Sequence, residues 1–250
     1  MKLMDDYYTK ITGILTKIKN EEEKNIQKAA QLLANVVEEK KLIYVFGTGG
    51  HSIMGAMEIF WRAGGLVPIN AIFPPGVSVA SSHPNTERVE GYAKFILRYY
   101  GLKRDDVIII SNVNGINPLT IDTALEAKRI GAKIIATTSR DFANSVPKNL
   151  PARHSSNKNL HELGDIVIDL HVPYGDAIVE IENFEQKVGA SSTFAVCFAL
   201  NSVSGLVVEE LLRRGVTPPV WKSANVKGGD ESNKKYVEEY INKIPHLYRV

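Results

Sequence analysis

One cysteine, Cys197, stands among 250 residues, so the chain holds no internal disulfide and its composition fits a reducing compartment. Cys197 lies inside an apolar helical stretch, where a buried structural thiol is a plainer reading than a nucleophile. Charge of one sign is also missing: 30 Lys and Arg against 28 Asp and Glu leave a net +2. The basic residues are scattered among acids, so no electrostatic case exists for nucleic acid or an anionic membrane. No uninterrupted apolar run reaches transmembrane length. Met1 to Asp6 carries two acids and no signal-peptide core. A cytoplasmic location is the expectation. Internal repeats, low-complexity tracts and a convincing linker are absent as well.

What is present is ordinary for a globular chain: 44% hydrophobic and 23% charged residues, over a length that can bury a sizeable core. Apolar residues recur at helical spacing over 3–40, and Asn20 with Glu23 three positions on reads as an N-cap signal that divides this stretch into two helices. The first helix precedes every strand and carries its own apolar stripe, which must be buried on this domain or on a second subunit, the second subunit being the favoured expectation. Short apolar, β-branched runs follow at Leu42–Phe46, Leu66–Phe73, Val107–Ile110, Lys133–Thr138 and Ile166–His171. Helical stretches at about 52–63, 91–100 and 118–130 separate the first four, the last of them opening on Pro118 and stopping at Gly131. Two long irregular regions, 74–91 and 139–161, interrupt the pattern. A long apolar helix spans 191–214, and an amphipathic one runs from Ser232 to about Ile244. Buried strands alternating with helices predict an α/β fold, a mostly parallel five-stranded sheet covered on both faces. One domain over 1–250 is expected, with a helical arm (1–41), an α/β core (42–215) and a C-terminal loop and helix (216–250).

Two turns concentrate the chemistry. The first strand runs into Gly47-Thr48-Gly49-Gly50-His51-Ser52 and then a helix. Such a junction offers backbone N–H groups and a helix N-terminus to an anion. Thr48 and Ser52 add hydroxyls to Gly49 and Gly50. A dinucleotide fingerprint would need an acid at the end of the second strand, and Asn70-Ala71-Ile72-Phe73 offers none. The third strand ends in Ser111-Asn112-Val113-Asn114-Gly115-Ile116-Asn117. Such residues serve turn backbone in many proteins, but their crowding at a strand's C-terminal end favours a ligand. Ser191, Ser192 and Thr193 read equally as a helix cap and as a cap that also meets ligand.

These turns resemble those of the SIS (sugar isomerase) family, which has a glycine-rich turn after the first strand and a Ser-rich turn after a later one. The following helix, with Ala124-Leu125-Glu126-Ala127-Lys128-Arg129-Ile130-Gly131-Ala132, resembles that family too, as does Thr137-Thr138-Ser139. Val113-Asn114 departs from its usual small-Ser pair, and the first turn carries an extra residue before Ser52. Within the family the chain looks most like the UPF0309 group. Phe60-Trp61-Arg62-Ala63-Gly64-Gly65, Glu87-Arg88-Val89-Glu90-Gly91-Tyr92, Arg153-His154-Ser155-Ser156 and His171-Val172-Pro173-Tyr174-Gly175-Asp176 carry that likeness.

The resemblance implies a flavodoxin-like sheet, a sugar phosphate ligand, no cofactor, and self-association as a dimer or tetramer. Isomerisation of a sugar needs a base near the first two carbons and an acid for ring opening. Glu87 resembles the catalytic glutamate of glucosamine-phosphate isomerising SIS domains, and a solvated acid paired with Arg88 is its rival reading. Phosphoheptose isomerases and muramate-phosphate etherases place a glutamate where this chain has Trp61 or Arg62, with Glu58 a turn earlier. His51 and His154 are the titratable candidates near neutral pH. Lys187 is a candidate ligand-facing cation, or a surface lysine. His171 and Asp176 offer two ligands but no metal cluster. Three readings follow: a phosphosugar isomerase, a phosphosugar lyase, or a sugar-phosphate sensor without catalysis.

Overall fold

The computed structural model describes residues 2–80 and 83–248. Of the polar stretch expected over 74–91, residues 81 and 82 therefore lie outside the described residues. Two N-terminal helices form as predicted, α1 (Lys2–Glu21) and α2 (Glu23–Glu38). Asn20 does not divide them. It sits inside α1, and Glu22 holds the position before α2 without a side-chain cap bond.

The core then alternates as β1 (Ile43–Gly47), α3 (Ile53–Ile59), β2 (Ile69–Ala71), α4 (Ala93–Tyr99), β3 (Val107–Ser111), α5 (Pro118–Ile130), β4 (Lys133–Thr138), α6 (Arg140–Ser145) and β5 (Ile166–Asp169). The five strands pair in parallel in the order β2-β1-β3-β4-β5, with Gly47 level with Ser111. Alternation along each strand splits the core between the two faces. Ile43, Val45, Ile109 and Ile135 join α2 and α7 (Ser192–Arg213), whereas Tyr44, Phe46, Ile108 and Ile134 join α4 and α5. The α5 helix keeps its predicted limits because Pro118 opens it and Gly131, at φ 90°, closes it in the left-handed region.

Elsewhere the expected elements shrink. The second strand shortens to three residues because Leu66 bridges antiparallel to Val220 and Val67 N–H donates to the Pro219 carbonyl. The α3 helix ends at Ile59 rather than near 63, since Trp61 turns to φ 47° and packs on Trp221.

A hairpin that the periodicity does not announce, β6 (Ala177–Ile181) and β7 (Phe184–Ala190), stands apart from the main sheet and turns near Asn183 at φ 61°. It receives the stripe of α1: Ile11, Ile14 and Leu15 pack on Ile178 and Val179, and Tyr7 Oη donates to the Ala190 carbonyl at 2.6 Å. The first helix thus buries Ile11 and Ile18 within its own chain, while Leu3 at the start of the stripe stays exposed. By length and composition α7 is long and apolar enough to cross a membrane, but Ala195, Val196, Ala199, Leu200, Val203, Val207 and Leu211 are buried in the core. The last helix, α8 (Gly229–Tyr240), starts three residues earlier than expected.

Candidate functional site

In this strand order the chain leaves β1 towards β2 and returns across it to β3. The carboxyl ends of β1 and β3 therefore form the topological switch point, where open α/β sheets bind ligands. Both predicted turns sit there. Between them and the start of α7 lies a cavity of about 430 Å³, in the range of small-molecule sites. Its polar wall comprises Gly49, Gly50, His51, Ser52, Glu87, Asn112, Asn114, Asp176, Ser192 and Thr193. Met54, Val79, Val113, Phe142 and Val196 supply the apolar wall, and among the described residues no lysine or arginine lines it.

Gly49 is the point of closest approach. A Cβ there would stand 2.9 Å from Asn112 Nδ2, 3.0 Å from Glu87 Oε2 and 3.3 Å from Ser52 Oγ. Without a side chain, three polar groups from three segments converge on one backbone position. Asn112 is held by its other end: its Oδ1 accepts from Gly115 N–H at 3.0 Å, which leaves Nδ2 for the cavity. Asn114 likewise uses Oδ1 on the Ile116 amide at 3.2 Å. Among the described residues, the amides of His51 and Ser52 donate to no protein acceptor.

Glu87 rides on a single 3-10 turn, Pro84–Arg88, and its Oε2 accepts from Gly50 N–H at 3.1 Å. Burial pushes its carboxyl above the ordinary glutamate range, while the Gly50 bond, Arg88 and His51 pull the other way. Gly50 therefore spends its N–H on Glu87, and among the described residues the amides of the turn without a protein acceptor are those of Gly49, His51 and Ser52.

The start of α7 is occupied by a residue that the sequence reading set aside. Asp176 Oδ1 accepts from the amides of Ser191 (2.9 Å) and Ser192 (2.8 Å), and Oδ2 accepts from Ser192 Oγ (2.7 Å). A carboxylate at a helix N-terminus satisfies its orphan donors and dipole. The pairing spans 15 residues and a hairpin, so nothing local in the sequence announces it. Phe142 and Val79 enter the wall in the same way, through tertiary packing, while Met54 follows directly from the glycine turn at the start of α3.

Several expected site residues lie elsewhere. Thr48 is fully buried with its hydroxyl 2.7 Å from that of Thr120. Ser111 is buried with its Oγ 3.7 Å from where a Gly55 Cβ would stand, beneath α3. Gly115 packs on Thr138, and Asn117 sends Nδ2 to the Ala152 carbonyl at 3.1 Å. Ser191 is spent on Asp176. Lys187 is on the hairpin, paired with Glu180 at 3.0 Å. His171 Nε2 lies 3.8 Å from Glu21 and Glu22, away from the Asp176 cap.

His154 is buried outside the cavity. Its Nδ1 accepts from Ser156 N–H at 3.0 Å, which places the ring proton on Nε2, 3.1 Å from Asp122 Oδ1. Hydroxyl, imidazole and carboxylate stand here in the order of a nucleophile relay. The Ser156 amide and hydroxyl both address Nδ1 from two residues away, however, which makes this a local turn, and none of the three lines the cavity. A larger cavity of about 810 Å³ lies between Trp61 and α8 and holds none of the expected residues.

Comparison with known proteins shows the family and the fold. A family model described as the SIS domain matches residues 6–139. The UPF0309 protein of Shouchella clausii (strain KSM-K16) is 35% identical over 252 residues, covering 99% of this chain and all of the relative. Its counterpart in Halalkalibacterium halodurans is 38% identical over 240 residues, covering 94% of this chain and 97% of the relative. Among solved structures, phosphoheptose isomerase GmhA from Neisseria gonorrhoeae superposes with a TM-score of 0.54 at 13% identity, covering 82% of this chain and 97% of that one. That likeness is one of fold. A match to more than half of the chain, with full-length relatives above 30% identity, makes this chain a member of the SIS domain family and, within it, of the UPF0309 proteins.

Proposed function

We propose that the protein is a phosphosugar isomerase whose cavity at the β1–β3 switch point binds a sugar phosphate and whose base is Glu87. The observation that carries this reading is the convergence at Gly49. A half-buried carboxylate meets the unpaired donors of Ser52 and Asn112 in one cavity. Moving a proton between adjacent sugar carbons needs a base in a partly desolvated place, and burial that raises the carboxyl equips it to hold the proton between the two transfers. The oxygen that becomes negative in the enediol needs donors already in position, which Asn112 Nδ2 and the His51 and Ser52 groups supply. Neutral donors also suit the phosphate, because they bind it without closing an ion pair with Glu87. His51, on the cavity wall, is the group placed to serve ring opening. Membership of the SIS family and the phosphoheptose isomerase fold neighbour support the substrate class.

The test pairs binding with exchange. Sugar phosphates, their unphosphorylated parents and NAD(P) are screened by thermal shift, where ligand at one hundred times Kd adds about 2.7 kcal/mol. Sugars that bind are then followed by NMR for exchange of the proton next to the carbonyl. Phosphate-dependent binding is expected in both wild type and Glu87→Gln, with exchange in wild type alone. Binding without exchange in wild type would replace the enzyme by a sensor. A response to NAD(P) alone would remove the sugar phosphate as well.

A further inference from the structure

The Glu87 segment is weakly held by its own structure. It follows β2 and precedes α4, and among the described residues between them only the five-residue turn Pro84–Arg88 is regular. Its firmest attachment lies three residues past Glu87, on a different part of the fold. Glu90 Oε1 accepts from Ser155 N–H at 2.8 Å and Oε2 from Ser155 Oγ at 3.0 Å, a two-point contact across 65 residues. Next to it, Gly91 N–H donates to Asp122 Oδ2 at 2.5 Å, and Asp122 Oδ1 takes His154 Nε2.

Ser155 is a firm anchor because its neighbours are buried and bonded. Arg153 donates to the carbonyls of Ala143, Val146 and Asn157 and to Asn159 Oδ1. His154 N–H donates to the Ile116 carbonyl at 2.9 Å, and Asn117 Nδ2 reaches Ala152. The loop around 152–157 is thus tied to the turn that carries Asn112 and Asn114, and to α6, which carries Phe142.

We propose that Glu90 is a positioning residue: by gripping Ser155 it references the Glu87 backbone to the same loop that anchors the opposite wall of the cavity. This rests on Glu87 being the base. Glu90 is itself too exposed for its contact to be a packing accident, with 45% of its side chain accessible, yet both carboxylate oxygens are spent on one serine. The Ser155 amide holds its carboxyl below the ordinary glutamate range, so the grip is made by the anion at neutral pH. Glu87 lies on the far side of that grip, where its own partners are Gly50 N–H and the charges of Arg88 and His51.

The experiment labels glutamate carboxyl carbons with ¹³C in the whole protein, identifies the Glu87 signal by its loss in Glu87→Gln, and titrates it. In Glu90→Ala and Ser155→Ala the Glu87 signal is expected to move, and its midpoint to drift towards that of an exposed glutamate. Glu90→Gln, which keeps an acceptor oxygen, should restore part of the wild-type titration. With a sugar phosphate found by the thermal-shift screen, Glu90→Ala should lose roughly tenfold or more in kcat with KM within about twofold, as misplacement of a reacting group does. An unchanged Glu87 titration in both alanine variants overturns the proposal, as does an equal loss in kcat/KM through KM alone. If the Glu87 signal responds to Glu90→Ala while Glu87→Gln retains full exchange, the positioning stands and the assignment of Glu87 as base falls. Should Glu90→Ala fail to fold, Ser155→Ala carries the same readout.

Discussion

At position 87 a carboxylate is kept where burial opposes its charge, and that has a thermodynamic sign. The folded state holds the Glu87 proton to higher pH than the unfolded chain, whose value lies near 4.5. Over the interval above that value the folded state binds more protons, so stability falls as pH rises through it and stays lower beyond. Removing the charge should reverse this. Glu87→Gln, whose amide oxygen still accepts from Gly50 N–H, is expected to melt higher than wild type at pH 7.5 and level with it at pH 4, as measured by calorimetry. A variant that melts lower at both would mean that the carboxylate is stabilising. Glu87 was legible in the sequence only as an acid in a polar stretch resembling a family motif. Its closeness to Gly49 depends on a crossing of segments 38 residues apart, which no local spacing encodes.

At the level of elements, the loop that carries Arg153 binds two irregular regions into one wall. The guanidinium is buried and donates to three carbonyls and an amide oxygen, with no carboxylate partner within ion-pair distance among the described residues. Arg153→Ala leaves those acceptors without their donor and is expected to cost about 2–4 kcal/mol, read as a lower midpoint in urea with an unchanged slope. Arg153→Lys should not restore it, because an ammonium cannot serve four acceptors from a planar fork. In the sequence Arg153 stands out only within a string resembling the UPF0309 group, and His154 only as a titratable candidate near neutral pH. Both are in fact turned inward as ties, since an arginine beside an exposed carbonyl-rich helix end finds its acceptors there. The hairpin and the docking of α1 upon it were illegible for a related reason. The period-two pattern of Ala177–Ile181 is short, and the stripe on α1 specifies only that something apolar must cover it.

On the scale of the whole molecule, the sheet separates two cores. Ile43 on β1 and Ile134 on β4 are both fully buried, lie two strands apart, and face opposite layers of helices. Ile43→Val and Ile134→Val are each expected to cost about 0.5–1.5 kcal/mol. In the double variant the costs should add to within about 0.5 kcal/mol, because the two side chains share no packing partner. Strong non-additivity in denaturant melts would show that the two layers respond as one. The same sheet explains why the site is where it is. Reversal of strand order at β1, whose two neighbours are reached in opposite directions across a parallel sheet, opens a gap at its carboxyl end, and both turns, the Glu87 segment and the start of α7 meet over it.

The sequence by itself determined the class of fold, the two turns and most element limits, because hydrophobic period, proline and glycine act within a few residues. The exact span of α5 and β4 follows from Pro118, Gly131 and an apolar β-branched run. Tertiary structure alone decided which polar residues of those turns face the cavity. It turned Thr48, Ser111, Asn117 and Ser191 inward to partners or packing beneath the surface, and brought in Asp176, Val79 and Phe142 from far along the chain. A buried hydroxyl or amide takes a hydrogen-bond partner where the fold supplies one, as Thr48 and Ser191 do, whereas among the described residues Ser111 Oγ and Asn117 Oδ1 are buried without one. Whether a Ser or Asn serves a ligand or the protein is therefore settled by what packs against it, and not by its place in a motif.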